Sequence, residues 1–199
     1  MYVAGKLRRV IGILGGTFDP PHIAHLAVAH AAREQLGLDE VLLMPAGEPW
    51  QKSEETITPA PHRLAMTRLA ASAAPYFRAD DREIVRDGPT YSIDTVLELN
   101  GECVLIVGAD AALGLQSWHR ADDLIGIASF GVVDRPGVKR GDVDAILASR
   151  CTWIDMPMID ISSTEIRSHV AGGHTARFLV PEAVAMYIES NGLYRSESS

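Results

Sequence analysis

Five short apolar runs punctuate the chain: residues 10–14, 41–44, 103–107, 129–133 and, more weakly, 151–154. Each is continuous rather than alternating, as expected for strands covered on both faces, so each predicts a strand of a parallel sheet. Between them, polar and apolar positions repeat at helical spacing. Helices are predicted over 21–36, closed by Gly37, over 59–74, over 92–99, ending at Asn100-Gly101, and over 111–118. Two more follow, over 163–170, closed by Gly172-Gly173, and over 181–190, closed by Gly192. Proline at helix starts and glycine just past the ends follow the usual asymmetry of helix termini. This alternation predicts an α/β fold, a Rossmann-like doubly wound parallel sheet with helices on both faces. No repeat or linker divides the chain, so 1–199 is expected to be one domain, with 195–199 a frayed tail.

Composition narrows the partners. A chain of 199 residues that is 47% hydrophobic has length and apolar content enough for a core. Its net charge of −8 argues against nucleic acid and membrane surfaces, both of which are polyanions. Such a protein binds a small anion only through a local cradle of N–H groups and a few cations. Cys103 and Cys151 stand far apart in apolar runs and are expected to be small buried hydrophobes, not a disulfide or metal site. With no signal-peptide pattern and nowhere eighteen consecutive apolar residues, a cytoplasmic location is expected. The oligomeric state, a homo-oligomer included, stays open.

In a doubly wound sheet, ligands bind beyond the carboxyl ends of strands. The first strand runs into Gly15-Gly16-Thr17-Phe18-Asp19-Pro20-Pro21-His22-Ile23-Ala24-His25. Two glycines let backbone N–H groups approach a phosphate, and the following helix points its positive end at the same space. That helix is expected to start near Pro20-Pro21, with Asp19 as N-cap. His22 and His25, at i and i+3, share one face and can donate hydrogen bonds to phosphate oxygens. The glycine spacing is not GxGxxG, and no GK[ST] follows, which counts against a dehydrogenase and a P-loop kinase. A zinc site built on the two histidines lacks further ligands nearby. Near the chain's end, Ser162-x-x-Glu165 reads as a capping box, and Ser162, Ser163 and Thr164 with Arg167 one turn in also form an anion site.

Taken together, a strand-end Gly-Thr-x-Phe-Asp-Pro-x-His-x-x-His and a late Ile-Ser-Ser-Thr-x-x-Arg resemble the nucleotidyltransferase superfamily with T/HxGH and ISSTxxR motifs. More narrowly, the chain is similar to the bacterial nicotinate-nucleotide adenylyltransferases. That likeness runs through Met44-Pro45-Ala46-Gly47 with Lys52, Gly88-Pro89-Thr90-Tyr91-Ser92, Gly108-Ala109-Asp110 with Trp118, Val133-Asp134-Arg135-Pro136-Gly137 and Gly192-Leu193-Tyr194. The resemblance implies transfer of AMP from ATP to nicotinate mononucleotide, giving deamido-NAD and pyrophosphate, a step of NAD biosynthesis. It implies that Gly15, Gly16, Thr17 and Phe18 bind ATP and that His22 and His25 serve its α-phosphate. Ser162, Ser163, Thr164 and Arg167 would hold the triphosphate, and Gly108 and Asp110 the ribose and base. Lys52 would meet the acceptor's phosphate, and Thr90, Tyr91 and Trp118 its pyridine ring. Two positions depart from the pattern: Ala24 stands where the family has glycine, and Gln51 where it often has histidine.

An acceptor phosphate is already an anion, so direct in-line attack on the α-phosphorus needs no general base. Positioning and charge stabilisation would carry the rate, with Mg²⁺ held mainly by ATP phosphates and water and no protein ligand assigned. Two alternatives stay open on the sequence: a phosphopantetheine adenylyltransferase, and a nucleotide-binding sensor that has lost turnover.

Overall fold

A computed structural model describes residues 9–47, 57–99 and 103–195. The chain runs β1 (Ile11–Gly16), α1 (Ile23–Leu36), β2 (Glu40–Pro45), α2 (Ala60–Ala71), β3 (Phe77–Ala79), α3 (Arg82–Val85), α4 (Ser92–Glu98) and β4 (Cys103–Gly108). It continues through α5 (Ala109–Leu113), α6 (Ala121–Ile127), β5 (Ser129–Val133), α7 (Arg140–Leu147), β6 (Cys151–Ile154), α8 (Ser163–Ala171) and α9 (Glu182–Ser190). Among the described residues the strands form one six-stranded sheet in the order β3-β2-β1-β4-β5-β6, every pair parallel. The order reverses between β1 and β4, and the crevice outside their carboxyl ends is where such sheets take ligands. Gly15, Gly16 and Gly108 stand there.

Alternate residues of the continuous apolar strands face opposite layers. Leu42 and Met44 of β2, with Ile13, Leu105 and Phe130, pack with residues of α4, α6 and α7. Val41 and Leu43, with Leu14, Ile106 and Val133, pack under Ala29 and Ala32 of α1. These alanines and Gly12 let α1 and its following loop lie close, since a Cβ on Gly12 would strike Leu38 Cδ1 at 2.6 Å. A third apolar cluster joins α2, α8 and α9 through Met66, Ile166, Val184 and Ile188, and so ties the late ISSTxxR segment to the body. Among the described residues no helix is long and apolar enough to cross a membrane.

Several boundaries differ from the sequence reading. The helix expected over 111–118 is α5 followed by a 3₁₀ turn at Leu115–Ser117, interrupted at Gly114. The helix expected over 59–74 ends at Ala71, with Ser72 closing it. Four elements escaped the pattern. β3 has three residues and is an edge strand, while α3, α6 and α7 bury at most two side chains each. Cys103 is buried as expected, but Cys151 is partly exposed; both are free, and burial pushes each thiol up to about 11.

Candidate active site

The expected N-cap is corrected: His22, not Asp19, caps α1. The His22 backbone N–H donates to His25 Nδ1 at 3.1 Å, so His25 occupies the place that glutamate takes in a capping box. Because His25 Nδ1 accepts this bond, its neutral ring carries the proton on Nε2 and presents that N–H as a donor. The two rings stack, with centroids 3.7 Å apart. Phe18 meets His25 edge-on at 4.9 Å. Phe18 is itself a core residue with a left-handed backbone; its side chain props His25 and does not line the cleft.

Neither imidazole is charged near neutral pH. Burial, then the Arg135 guanidinium, lowers His22 to about 4. Burial, then His22 and Arg135, holds His25 well below its usual range. His22 is 6% exposed, and its Nδ1 is buried with no partner among the described residues. Such an orphan nitrogen in a cleft suits a polar ligand.

Asp19 does other work. Its carboxylate accepts from the Tyr194 hydroxyl at 2.7 Å and from the Thr58 backbone N–H at 3.0 Å. The late segment grips the same turn: Arg167 Nη1 donates to the Asp19 carbonyl at 2.9 Å and Ser163 Oγ to the Pro20 carbonyl at 2.8 Å. Arg167 also reaches Thr164 Oγ1 at 3.3 Å. Ser162 caps α8: its Oγ accepts from Glu165 N–H, while the Glu165 carboxylate accepts from Ser162 N–H and Oγ. The structure thus brings Thr17, His22, His25, Ser163, Thr164 and Arg167 to one side of the sheet switch point.

Across the cleft stand Gly108 and Asp110 of the β4–α5 turn. A Cβ on Gly108 would lie 2.5 Å from Asp110 Oδ1 and 3.0 Å from Arg135 Nε, so glycine is what lets these side chains approach. Arg135 and Asp110 pair loosely at 3.8 Å. The cleft is lined by His22, Ala24 and His25 on one side, and by Gly108, Arg135 and the apolar residues Met156, Pro157, Met158, Ile159 and Ile161 elsewhere. An apolar wall facing donors and a guanidinium suits a base attached to a phosphate chain. Ala24, beside the two histidines, is 8% exposed. Ala24→Gly is expected to lower the unfolding free energy by about 0.5–1 kcal/mol, read by urea titration, because alanine favours the first turns of α1. Unchanged or higher stability would mean that the methyl is strained there.

Beyond the β2 end, Thr90 is buried and Tyr91 stacks on His119 with centroids 4.1 Å apart. Tyr91 and Trp118 both pack partly on the core. Gly47, at the end of β2, abuts this wall: its Cβ would fall 2.1 Å from the Glu83 carbonyl oxygen and 3.2 Å from Thr90 Cγ2. Lys52 and Gln51 lie outside the described residues.

Sequence reasoning missed four residues here. Arg135 follows β5 as His22 follows β1, and its place after a strand end was a usable signal. His119 was adjacent to Trp118. Arg63 stood on the apolar stripe of α2 with Met66, Thr67 and Ala70, which is an odd place for a cation. Tyr194 stood in the sequence only as the end of the Gly192-Leu193-Tyr194 likeness, and its role left no signal because its partner Asp19 is 175 residues away.

Residues 13–169 match the cytidylyltransferase-like family. A protein of Dehalococcoides mccartyi described as "probable nicotinate-nucleotide adenylyltransferase" is 41% identical over 94% of this chain and 97% of its own length. A Roseiflexus protein of the same description is 44% identical over 93% and 98%. The solved Plasmodium falciparum nicotinic acid mononucleotide adenylyltransferase complexed with NaAD superposes with a TM-score of 0.77. At 20% identity, over 94% of this chain and 98% of that one, it speaks for the fold. The chain belongs to the cytidylyltransferase-like nucleotidyltransferases and, among them, to the nicotinate-nucleotide adenylyltransferases.

Proposed function

We propose that the chain transfers AMP from ATP to nicotinate mononucleotide, in the cytoplasm, as a step of NAD biosynthesis. The observation that carries this reading is the pair of stacked, neutral imidazoles at the carboxyl end of β1, one with a buried nitrogen that has no partner among the described residues. An oxygen of the acceptor's phosphate forms a bond to the α-phosphorus as the bond to the β-phosphate oxygen breaks, and pyrophosphate leaves with that electron pair. The His25 Nε2–H, a His22 ring N–H and the Arg167 guanidinium donate to oxygens that gain charge as this happens. Such donors are already oriented by the α1 cap and by the Asp19 carbonyl, so little reorganisation accompanies the step.

The side chains that face the phosphate turn are donors and a cation, a set that fits a polyphosphate better than a bare metal ion. Among the described residues no three His, Cys, Asp or Glu converge on a metal position. Mg²⁺ fits here as the counterion of ATP, neutralising phosphate charge and easing departure of pyrophosphate. Gly108 and Asp110 face the ribose and base, and the Thr90–Tyr91–Trp118 wall faces the pyridine ring, by this reading.

Pyrophosphate release by the purified protein with ATP and Mg²⁺ tests the assignment, comparing nicotinate mononucleotide, nicotinamide mononucleotide and phosphopantetheine. Turnover with the first is expected to dominate; silence with it overturns the reading. Lys52→Met is expected to raise KM for the acceptor about tenfold or more, since a charge-assisted bond is lost, while leaving KM for ATP nearly unchanged.

A further inference from the structure

Arg63 is 1% exposed, among the described residues the largest side chain so thoroughly buried, and its guanidinium is spent on backbone. Nε donates to the Thr58 carbonyl at 2.9 Å; Nη1 donates to Thr17 O at 3.0 Å and Ala46 O at 2.6 Å; Nη2 donates to Gly47 O at 2.9 Å. These carbonyls come from three places: the turn after β1, the turn after β2, and Thr58, two residues before the start of α2. The β1–β2 register ends at Gly16 opposite Pro45, and the last rung is Ala46 N–H to Gly16 O at 2.9 Å. The next carbonyl on each side, Thr17 and Ala46, goes to the same nitrogen of Arg63. The guanidinium therefore acts as one more rung, supplied by a side chain, where the two strands diverge toward their separate binding regions.

One of those regions is the phosphate turn that leads to His22. The other begins at Gly47, pressed against the Glu83 carbonyl and Thr90. We propose that Arg63 is a positioning residue that sets the spacing between the ATP phosphates and the acceptor, and so the alignment of attacking oxygen and α-phosphorus. This rests on the adenylyl-transfer reading given above. A planar fork that satisfies four carbonyls holds geometry that a single ammonium cannot.

The test measures kcat, per folded enzyme, beside separate dissociation constants for nicotinate mononucleotide and a non-hydrolysable ATP analogue. In Arg63→Lys the two dissociation constants are expected to stay within about threefold while kcat falls about thirtyfold or more, because misplacement of order 1 Å is costly in an in-line reaction. A charge-only role would instead be rescued by lysine. Hydrogen exchange of the Ala46 amide supplies a readout without turnover: it is expected to speed up in Arg63→Lys while Leu42 and Leu43 keep their protection. Retained kcat, a loss explained by the unfolded fraction or by weaker ATP binding, or unchanged Ala46 exchange would each overturn the proposal. If Arg63→Lys does not fold, Gly47→Ala decides, since its Cβ displaces the β2 turn with Arg63 in place; retained kcat there overturns it as well. Should the wild type release no pyrophosphate with nicotinate mononucleotide, the acceptor reading falls, and Ala46 exchange alone judges Arg63.

Discussion

His22→Ala is expected to slow pyrophosphate release by about a thousandfold with little change in fold. The ring sits at the α1 N-terminus, stacked 3.7 Å from His25, with a buried nitrogen that has no partner among the described residues. Removing one pre-oriented donor from a charge-developing centre costs roughly 10²–10³ in kcat. Here the stack that aligns the remaining imidazole is lost as well. The loss is expected mainly in kcat, since in the proposed binding mode ground-state ATP keeps the N–H groups of the Gly15–Gly16 turn and Arg167. His25→Ala is not an equivalent probe. His25 Nδ1 also accepts the His22 backbone N–H, so that variant loses a cap worth about 1 kcal/mol of stability along with any catalytic donor. Arg167→Ala is mixed in the same way, because the guanidinium holds the Asp19 carbonyl. His22 is therefore the cleaner test. A fall of less than about tenfold in a folded His22→Ala would place the transition-state charge elsewhere.

What the sequence disclosed follows from how local each signal is. Of the six described strands, β1, β2, β4 and β5 were legible because cover on both faces writes a continuous apolar run, as in Val41–Met44, while the edge strand β6, with Thr152 exposed, left the weaker run 151–154. β3 was not, because an edge strand of three residues, Phe77–Ala79, buries too little to leave a pattern. α7 was hidden by Gly141 and two aspartates, with Val143 and Leu147 alone buried. In the site, His22, His25, Ser163 and Arg167 were legible because their chemistry sits at strand ends or helix starts. Asp19 misled: its carboxylate reads as a cap in sequence, yet it is committed to Tyr194 and Thr58. Arg63 showed only as a cation on the apolar stripe of α2, and its role was hidden because it acts on carbonyls up to 46 residues away. Side chains that hold backbone at a distance carry no sequence motif of their own.

Acid is expected to destabilise the protein through the same two imidazoles, well above the range where carboxylates protonate. The folded state holds His22 at about 4, against 6.5 for the unpaired residue, and holds His25 low too. Between those values the unfolded chain binds more protons than the native one, so stability rises with pH across the window and is lost as pH falls below the unfolded value. From about pH 8 to about pH 5, His22 alone accounts for a loss of about 2 kcal/mol, with His25 adding in the same direction. Glu83 works in the opposite sense, because burial raises its carboxyl. For that reason the decisive comparison is between variant and wild type at each pH. Urea unfolding of His22→Gln is expected to show an acid sensitivity smaller by about 2 kcal/mol over that range. Equal slopes in the two proteins would mean that His22 is not held neutral by its surroundings. The same linkage reaches function. Phosphate oxygens favour a charged imidazole that burial and Arg135 disfavour, so ATP binding near pH 6 is expected to take up protons. Calorimetry in buffers of different ionisation enthalpy reads that uptake directly, and its absence in His22→Gln would assign it to this ring.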